Sequence, residues 1–299
     1  MDYRKYKEQV RLLLQVLPLV SDEKAFALHG GTAINLFYFD MPRLSVDIDL
    51  TYLPVEDRDT SLENIKLSLE KIKNRIEKKY PATIVEHKIR ASKLMIATKD
   101  ALVKVEVNQL KRGCFASPKL VVLCKKAQEE FTSFCEIQVV EIGHLFGGKI
   151  CEALDRQHPR DLFDVHNILK SEKLSEAVKK GFLFYLISSN RPIVEMLFPQ
   201  YQDQHSVFEK QFKGMTEQQF TYEDYEANRY ALVETIHQTL TTADKLFLVS
   251  IEELNPNWTF YNFEKYPAVQ WKLQNLEKLK KNNPKKHANG VRLLKEQLL

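Results

Sequence analysis

Cysteine is scarce in this chain. There are four in 299 residues, Cys114, Cys124, Cys135 and Cys151, and no pair has CxxC spacing. That excludes a zinc ribbon or a thioredoxin-type motif and fits a reducing, cytoplasmic setting. Nine Gly and eleven Pro are too few for a fibrous or low-complexity protein. No apolar run reaches the roughly 18 residues that a membrane helix needs, so no membrane association is expected. Leu12 to Val20 is apolar and follows Lys5, Lys7 and Arg11, but charged Ser21-Asp22-Glu23-Lys24 comes next instead of a small-residue cleavage site. This stretch reads as an amphipathic first helix, not a signal peptide. The eight His form no ligand pattern, and no internal repeat is present.

What is present is ordinary globular material, 44% apolar and 28% charged, long enough for two domains. The net charge of +4 is unevenly spread. Residues 272–299 carry eight Lys or Arg against two Glu, which leaves the remainder slightly acidic. A basic tail is either a solvated helix face or a footprint for an anionic partner.

Hydrophobic periodicity divides the chain near residue 140. Before it, helical patterns cover 2–20 and 60–80, where Leu62, Ile65, Leu69, Ile72 and Ile76 form one apolar stripe. β-like runs accompany them at Phe26–Leu28, Ser45–Thr51, Thr83–Ile89, Lys93–Thr98, Leu102–Val107 and Glu136–Val140. Gly30-Gly31 marks a turn, and Thr32 is placed to cap a short helix. After residue 141 the spacing is helical except for 252–268, an aromatic- and Asn-rich ordered loop. A last basic helix covers about 270–299 and is broken at Pro284. The aromatics of this half read as core more than as base-stacking platforms. These patterns predict an α+β protein: an N-terminal α/β domain over 1–140 and an α-helical domain over 141–299.

One constellation carries chemistry. Gly30-Gly31-Thr32 is followed, after 14 residues, by Asp47-Ile48-Asp49 on a period-2 strand. Alternation puts both carboxylates on one face, a hard-oxygen site suited to Mg²⁺. The turn before the helix offers backbone N–H groups and a positive helix end for a phosphate. An ordinary strand edge with two Asp is the plainer reading of Asp-x-Asp alone. Gly143-His144-Leu145-Phe146-Gly147-Gly148-Lys149 matches a phosphate-binding GxxxxGK loop but is followed by Ile150 where Ser or Thr is required, and helical spacing runs through it.

The combination resembles the nucleotidyltransferase superfamily with the DNA polymerase β fold, which implies a mixed sheet with flanking helices and a third carboxylate on a later strand. Glu106, on the polar face of Leu102–Val107, is the candidate; the alternative is a solvent-facing Glu beside Lys104. A second block, Gly148-Lys149-Ile150-Cys151-Glu152-Ala153-Leu154-Asp155-Arg156 with Pro159-Arg160-Asp161-Leu162-Phe163-Asp164, narrows the resemblance. With His29-Gly30-Gly31-Thr32-Ala33 and Arg43-Leu44-Ser45-Val46-Asp47-Ile48-Asp49-Leu50, it looks like the AbiEii/AbiGii toxin family over roughly residues 20–170. That resemblance implies an Mg²⁺-dependent transfer of NMP from an NTP to an acceptor hydroxyl, RNA or tRNA being the favoured acceptor, by a toxin paired with an antitoxin protein. It implies metal binding by Asp47, Asp49 and Glu106. It assigns the nucleotide to Gly30, Gly31, Thr32, Lys149, Arg160 and Asp164, with Lys149 and Asp161 brought to the active site by the helical domain. For Lys149 and Asp161 the bland alternative is a helix–helix ion pair. For the whole chain the rivals are a catalytically silent nucleotide- or antitoxin-binding module, or transfer to a protein or small molecule.

Overall fold

The computed structural model describes residues 3–171 and 174–299. Two compact units emerge: the chain up to Glu141 together with Val207–Gln219, and Ile142–Ser206 with Phe220–Leu299. The insertion of 207–219 into the first unit rests on main-chain contacts that no local pattern announces. The Leu44 N–H donates to the Met215 carbonyl (2.8 Å), and the Thr216 hydroxyl donates to the Pro42 carbonyl (2.8 Å).

The first unit is built on a seven-stranded mixed sheet. In chain order its elements are α1 (Tyr3–Ser21), β1 (Phe26–His29), α2 (Gly30–Ala33) running into a π-helical turn at Ile34–Tyr38, β2 (Asp47–Tyr52), α3 (Arg58–Lys79), β3 (Ile84–Lys88), β4 (Lys93–Ala97), β5 (Leu102–Val107), β6 (Lys119–Val122), α4 (Lys125–Phe131) and β7 (Glu136–Val139). The strand order is β3-β4-β5-β2-β1-β7-β6. Pairing is parallel for β2–β5 and β1–β7 and antiparallel elsewhere. The α+β expectation holds. The sequence missed β6 and α4, because β6 is a four-residue edge strand with no buried face and its apolar Leu120 and Val122 are exposed. The α3 stripe is as expected: Ile65, Leu69, Ile72 and Ile76 are fully buried. Each contributes about 1.5–3 kcal/mol of burial.

The second unit is helical: α5 (Ile142–Arg156), α6 (Pro159–Ser171), α7 (Glu176–Leu186), α8 (Ile193–Leu197), a single turn α9 (His205–Val207) at its border, α10 (Tyr222–Thr239), α11 (Thr242–Glu252), α12 (Pro267–Asn282) and α13 (Pro284–Leu298). Pro284 opens α13 where the Asn283 side chain accepts from the Lys286 N–H (3.0 Å), so the basic tail is a helical hairpin. Phe263 and Tyr266, both in the 252–268 loop, pack edge-on against Phe184 of α7. The GxxxxGK run lies wholly within α5. Its glycines serve packing: a Cβ on Gly147 would stand 2.2 Å from the Phe182 nitrogen, and one on Gly181 would stand 1.9 Å from the Gly143 carbonyl oxygen. No described helix is long and apolar enough to cross a membrane.

These backbone-to-backbone approaches leave α5 and α7 no flexible atom to yield. Gly181→Ala should therefore destabilise the protein by about 1–3 kcal/mol or more. The loss would appear as a lowered denaturation midpoint in a chemical melt followed by circular dichroism.

Candidate active site

The chain leaves β1 at His29 in extended conformation and turns at Gly30, whose φ is +72°. That value suits glycine, and the space beside it is tight. A Cβ at Gly30 would lie 2.6 Å from Oδ2 of Asp49, so the carboxylate rests directly on the main chain at the helix start. Gly31 is hemmed by Arg43, whose Nη2 would be 2.7 Å from an added Cβ. Arg43 is buried and donates to the Leu44 carbonyl (2.9 Å).

Thr32 differs from its expected role. The helix begins at Gly30, with His29 in the cap position, and Thr32 sits inside it, buried. Its hydroxyl donates to the main-chain carbonyl of Asp47 and lies 3.0 Å from Ser45 Oγ. The side chain thus ties the helix to the acidic strand. What the helix start can offer an anion is its first-turn N–H groups, which have no partner within a helix.

Asp47 and Asp49 share one face of β2. The parallel register with β5 places Lys104 opposite Asp47 and Glu106 opposite Asp49. On the far side of β5, Lys93 of β4 pairs with Glu106. Lys104 Nζ lies 3.0 Å from Glu106 Oε2 and 3.9 Å from Asp47 Oδ2, and Lys93 Nζ lies 3.2 Å from Glu106 Oε2. Partial burial would raise the Glu106 pKa, but the hydrogen bonds and charges of Lys104 and Lys93 outweigh it and hold the carboxyl below its usual range. Burial likewise opposes the charge on Lys104, and Asp47, Glu106 and Asp49 together overcome that opposition and raise its pKa. Among the described residues no three His, Cys, Asp or Glu side chains converge as a protein-only metal cage. The donor set fits Mg²⁺ in another manner: two carboxylates on one face, one of them settled against Gly30, with water and phosphate oxygens left to complete an octahedron. Lys93 is the residue of this face that sequence reading passed over, and Lys104 entered it only as the neighbour of a solvent-facing Glu106. The signal was the register, because a lysine two positions before a glutamate is otherwise an ordinary surface pair.

In the helical unit, α5 and α6 are joined by a charged brace. Lys149 is 4% exposed, and its ammonium lies 2.8 Å from Glu152, 3.0 Å from Asp161 and 3.7 Å from Asp164. Arg156 adds a two-pronged contact to Asp161, at 3.1 Å from Nε and 2.9 Å from Nη2. Asp161 stands in the first turn of α6, where an acid is favoured. Arg160, half-buried beside it, takes no part in this network, and its N–H donates to His158 Nδ1 (3.1 Å). Burial alone would strip Lys149 of its proton, but the charges of Asp161, Glu152 and Asp164 more than compensate and raise its pKa. The ion pair that sequence reading weighed as the bland alternative is therefore present, and it is buried.

Lys149→Met would leave Asp161 and Asp164 buried with less countercharge, at a cost of about 3–5 kcal/mol. Because folding raises the Lys149 pKa, its contribution is complete below the ordinary lysine value of about 10.4 and fades as pH climbs through the higher folded value. The melting difference between wild type and Lys149→Met should accordingly stay constant from about pH 7 to 9 and shrink only above about pH 10.4. A difference that shrinks already near neutrality would contradict the brace.

Comparison with known proteins agrees with this geometry. No curated protein matches the sequence. Among solved structures, MenT4, a nucleotidyltransferase toxin from Mycobacterium tuberculosis H37Rv, is similar with a TM-score of 0.63 at 14% identity, over 91% of this chain and 93% of that one. At that identity the likeness speaks for the fold alone. Residues 11–275 match the family described as nucleotidyl transferase AbiEii toxin, type IV toxin–antitoxin system. A glycine-started helix resting on a two-carboxylate strand, and a sequence match over most of the chain, point the same way: this chain belongs to the AbiEii family of nucleotidyltransferase toxins.

Proposed function

We propose that the protein transfers a nucleoside monophosphate from an NTP to a hydroxyl of RNA, tRNA being the favoured acceptor, in the cytoplasm and under the control of a separate antitoxin. The observation that carries this reading is the contact of Asp49 with Gly30, which sets a helix start beside two carboxylates. The first-turn N–H groups at Gly30, Gly31 and Thr32 would receive the phosphates. Asp47 and Asp49 would hold Mg²⁺, which when bound supplies charge to the triphosphate oxygens. The acceptor oxygen forms a bond to the α-phosphorus as the bond from that phosphorus to pyrophosphate breaks. The acceptor's proton passes to water. Glu106, pinned by two ammonium groups, is a poor proton acceptor, and Asp47 and Asp49 are committed to the metal. The family resemblance extends the nucleotide site to Lys149, Arg160 and Asp164 and adds Asp161 to the catalytic residues. A silent binding module would have no need of two carboxylates held on one face in this way.

Asp47→Asn and Asp49→Asn should each cut transfer by about 10²–10³ or more, the scale of losing one preorganised electrostatic group, with far-UV dichroism unchanged. The assay is incorporation of each of four labelled NTPs into total RNA, with protein and small-molecule fractions counted in parallel. Near wild-type transfer in either variant would overturn the metal assignment, and label in protein or in a small molecule would move the acceptor out of RNA.

The acceptor reading is supported by the α12–α13 hairpin. Lys278, Lys280, Lys281, Lys285 and Lys286 are all exposed around its turn, and Lys278 lies over the exposed Trp271 ring at 5.4 Å. Truncation would uncover the buried Leu294 and Leu298, so charge is better removed by substitution. Replacing Lys280, Lys281, Lys285 and Lys286 by Gln should weaken RNA binding and make its salt dependence shallower, by about 0.7–0.9 in log–log slope per lost phosphate contact. NTP affinity should not change. An unaltered slope would mean that the hairpin is a solvated face.

A further inference from the structure

Lys104 occupies an uncommon place for a surface-strand lysine. Its stem is packed, leaving the side chain 28% exposed, and its ammonium bridges the bay between β2 and β5, with Glu106 at 3.0 Å and Asp47 at 3.9 Å. Lys93 approaches the same Glu106 oxygen from β4. We propose that Lys104 is a built-in cation of the nucleotide site, standing where a second divalent ion would otherwise bind between Asp47 and Glu106, so that the protein loads one divalent cation per NTP.

Three observations support this. Both charges of the bay come from fixed strand positions, since the β2–β5 register sets Lys104 against Asp47 and Glu106 against Asp49. The Glu106 oxygen that a second ion would need is already shared by two ammonium groups. The chemistry also suits: in sites with two metal ions, the pair neutralises charge on the entering and leaving oxygens. A lysine ammonium is a compact charge with three donors, so it can keep Glu106 and still donate to a phosphate oxygen. In this arrangement Asp47 and Asp49 hold the one divalent ion, and Glu106 holds lysine instead of metal.

The inference rests on the nucleotidyltransferase reading of Asp47 and Asp49, and the test separates the two. Protein-bound Mn²⁺ is counted by electron paramagnetic resonance, with the α,β-methylene analogue of the NTP the protein uses present at saturation. Wild type, Lys104→Arg, Lys104→Met and Asp47→Asn are compared. One bound ion is expected in wild type and Lys104→Arg, and two in Lys104→Met, where Glu106 loses its nearest ammonium. Transfer by Lys104→Met should fall about 10²-fold at the Mg²⁺ concentration that saturates wild type. It should recover in part as Mg²⁺ is raised, with a steeper dependence on the ion. Should Lys104→Met not fold, Lys104→Gln serves the same comparison. Two ions in wild type, or one in the neutral variant, would overturn the proposal. No bound ion in wild type, as in Asp47→Asn, would overturn the metal reading beneath it as well.

Discussion

The close approach of Asp49 to the main chain at Gly30 is the constraint on which the candidate site depends. So close an approach is helped by a residue that has no side chain and that adopts a left-handed turn freely. Gly30 meets both conditions. The neighbouring contacts follow from it. Thr32 is drawn inward to bond the Asp47 carbonyl, and Arg43 closes over Gly31. The turn at Gly30–Thr32 and the acidic strand are therefore tied together by the Asp49 carboxylate and by the buried Thr32 hydroxyl.

The two units use charge in opposite ways. In the helical unit, Lys149 and Arg156 and the acids around them are drawn into one network that locks the turn between α5 and α6. Buried networks of this kind specify a geometry more than they add stability, and they fail badly when one member is lost. On the sheet, Asp47, Asp49, Lys104 and Glu106 remain partly exposed, and ions there stay responsive to a ligand. Lys149 is fixed and Lys104 is accessible, although both are lysines facing several carboxylates.

Much of this was legible in the sequence where burial is one-sided. The alternation read over Ser45–Thr51 and the stripe from Leu62 to Ile76 named β2 and α3, although β2 begins only at Asp47 and its polar side is open at Asp47 and Asp49 but buried at Thr51. That Asp47 and Asp49 share a face was legible from strand alternation, whereas their pairing with Gly30-Gly31 came from the resemblance. What escaped was long-range. Lys119–Val122 has no buried face to advertise β6, and Val207–Gln219 lies amid helical sequence but belongs to the first unit. The role of Thr32 depends on where the Asp47 carbonyl points, and that of Lys104 on a register between strands more than fifty residues apart. Composition and periodicity carry neither.

The lysines of the sheet have a consequence for encounter. An NTP is a strongly negative ligand, and a bare face of Asp47, Asp49 and Glu106 would repel it before any contact formed. With Lys93 and Lys104 set among them, five ionised side chains leave that face with a single net negative charge. Long-range repulsion falls accordingly, and a nucleotide that arrives with its own divalent ion meets almost no barrier. On the proposed function, the face would suit capture of the ion and the triphosphate as one complex.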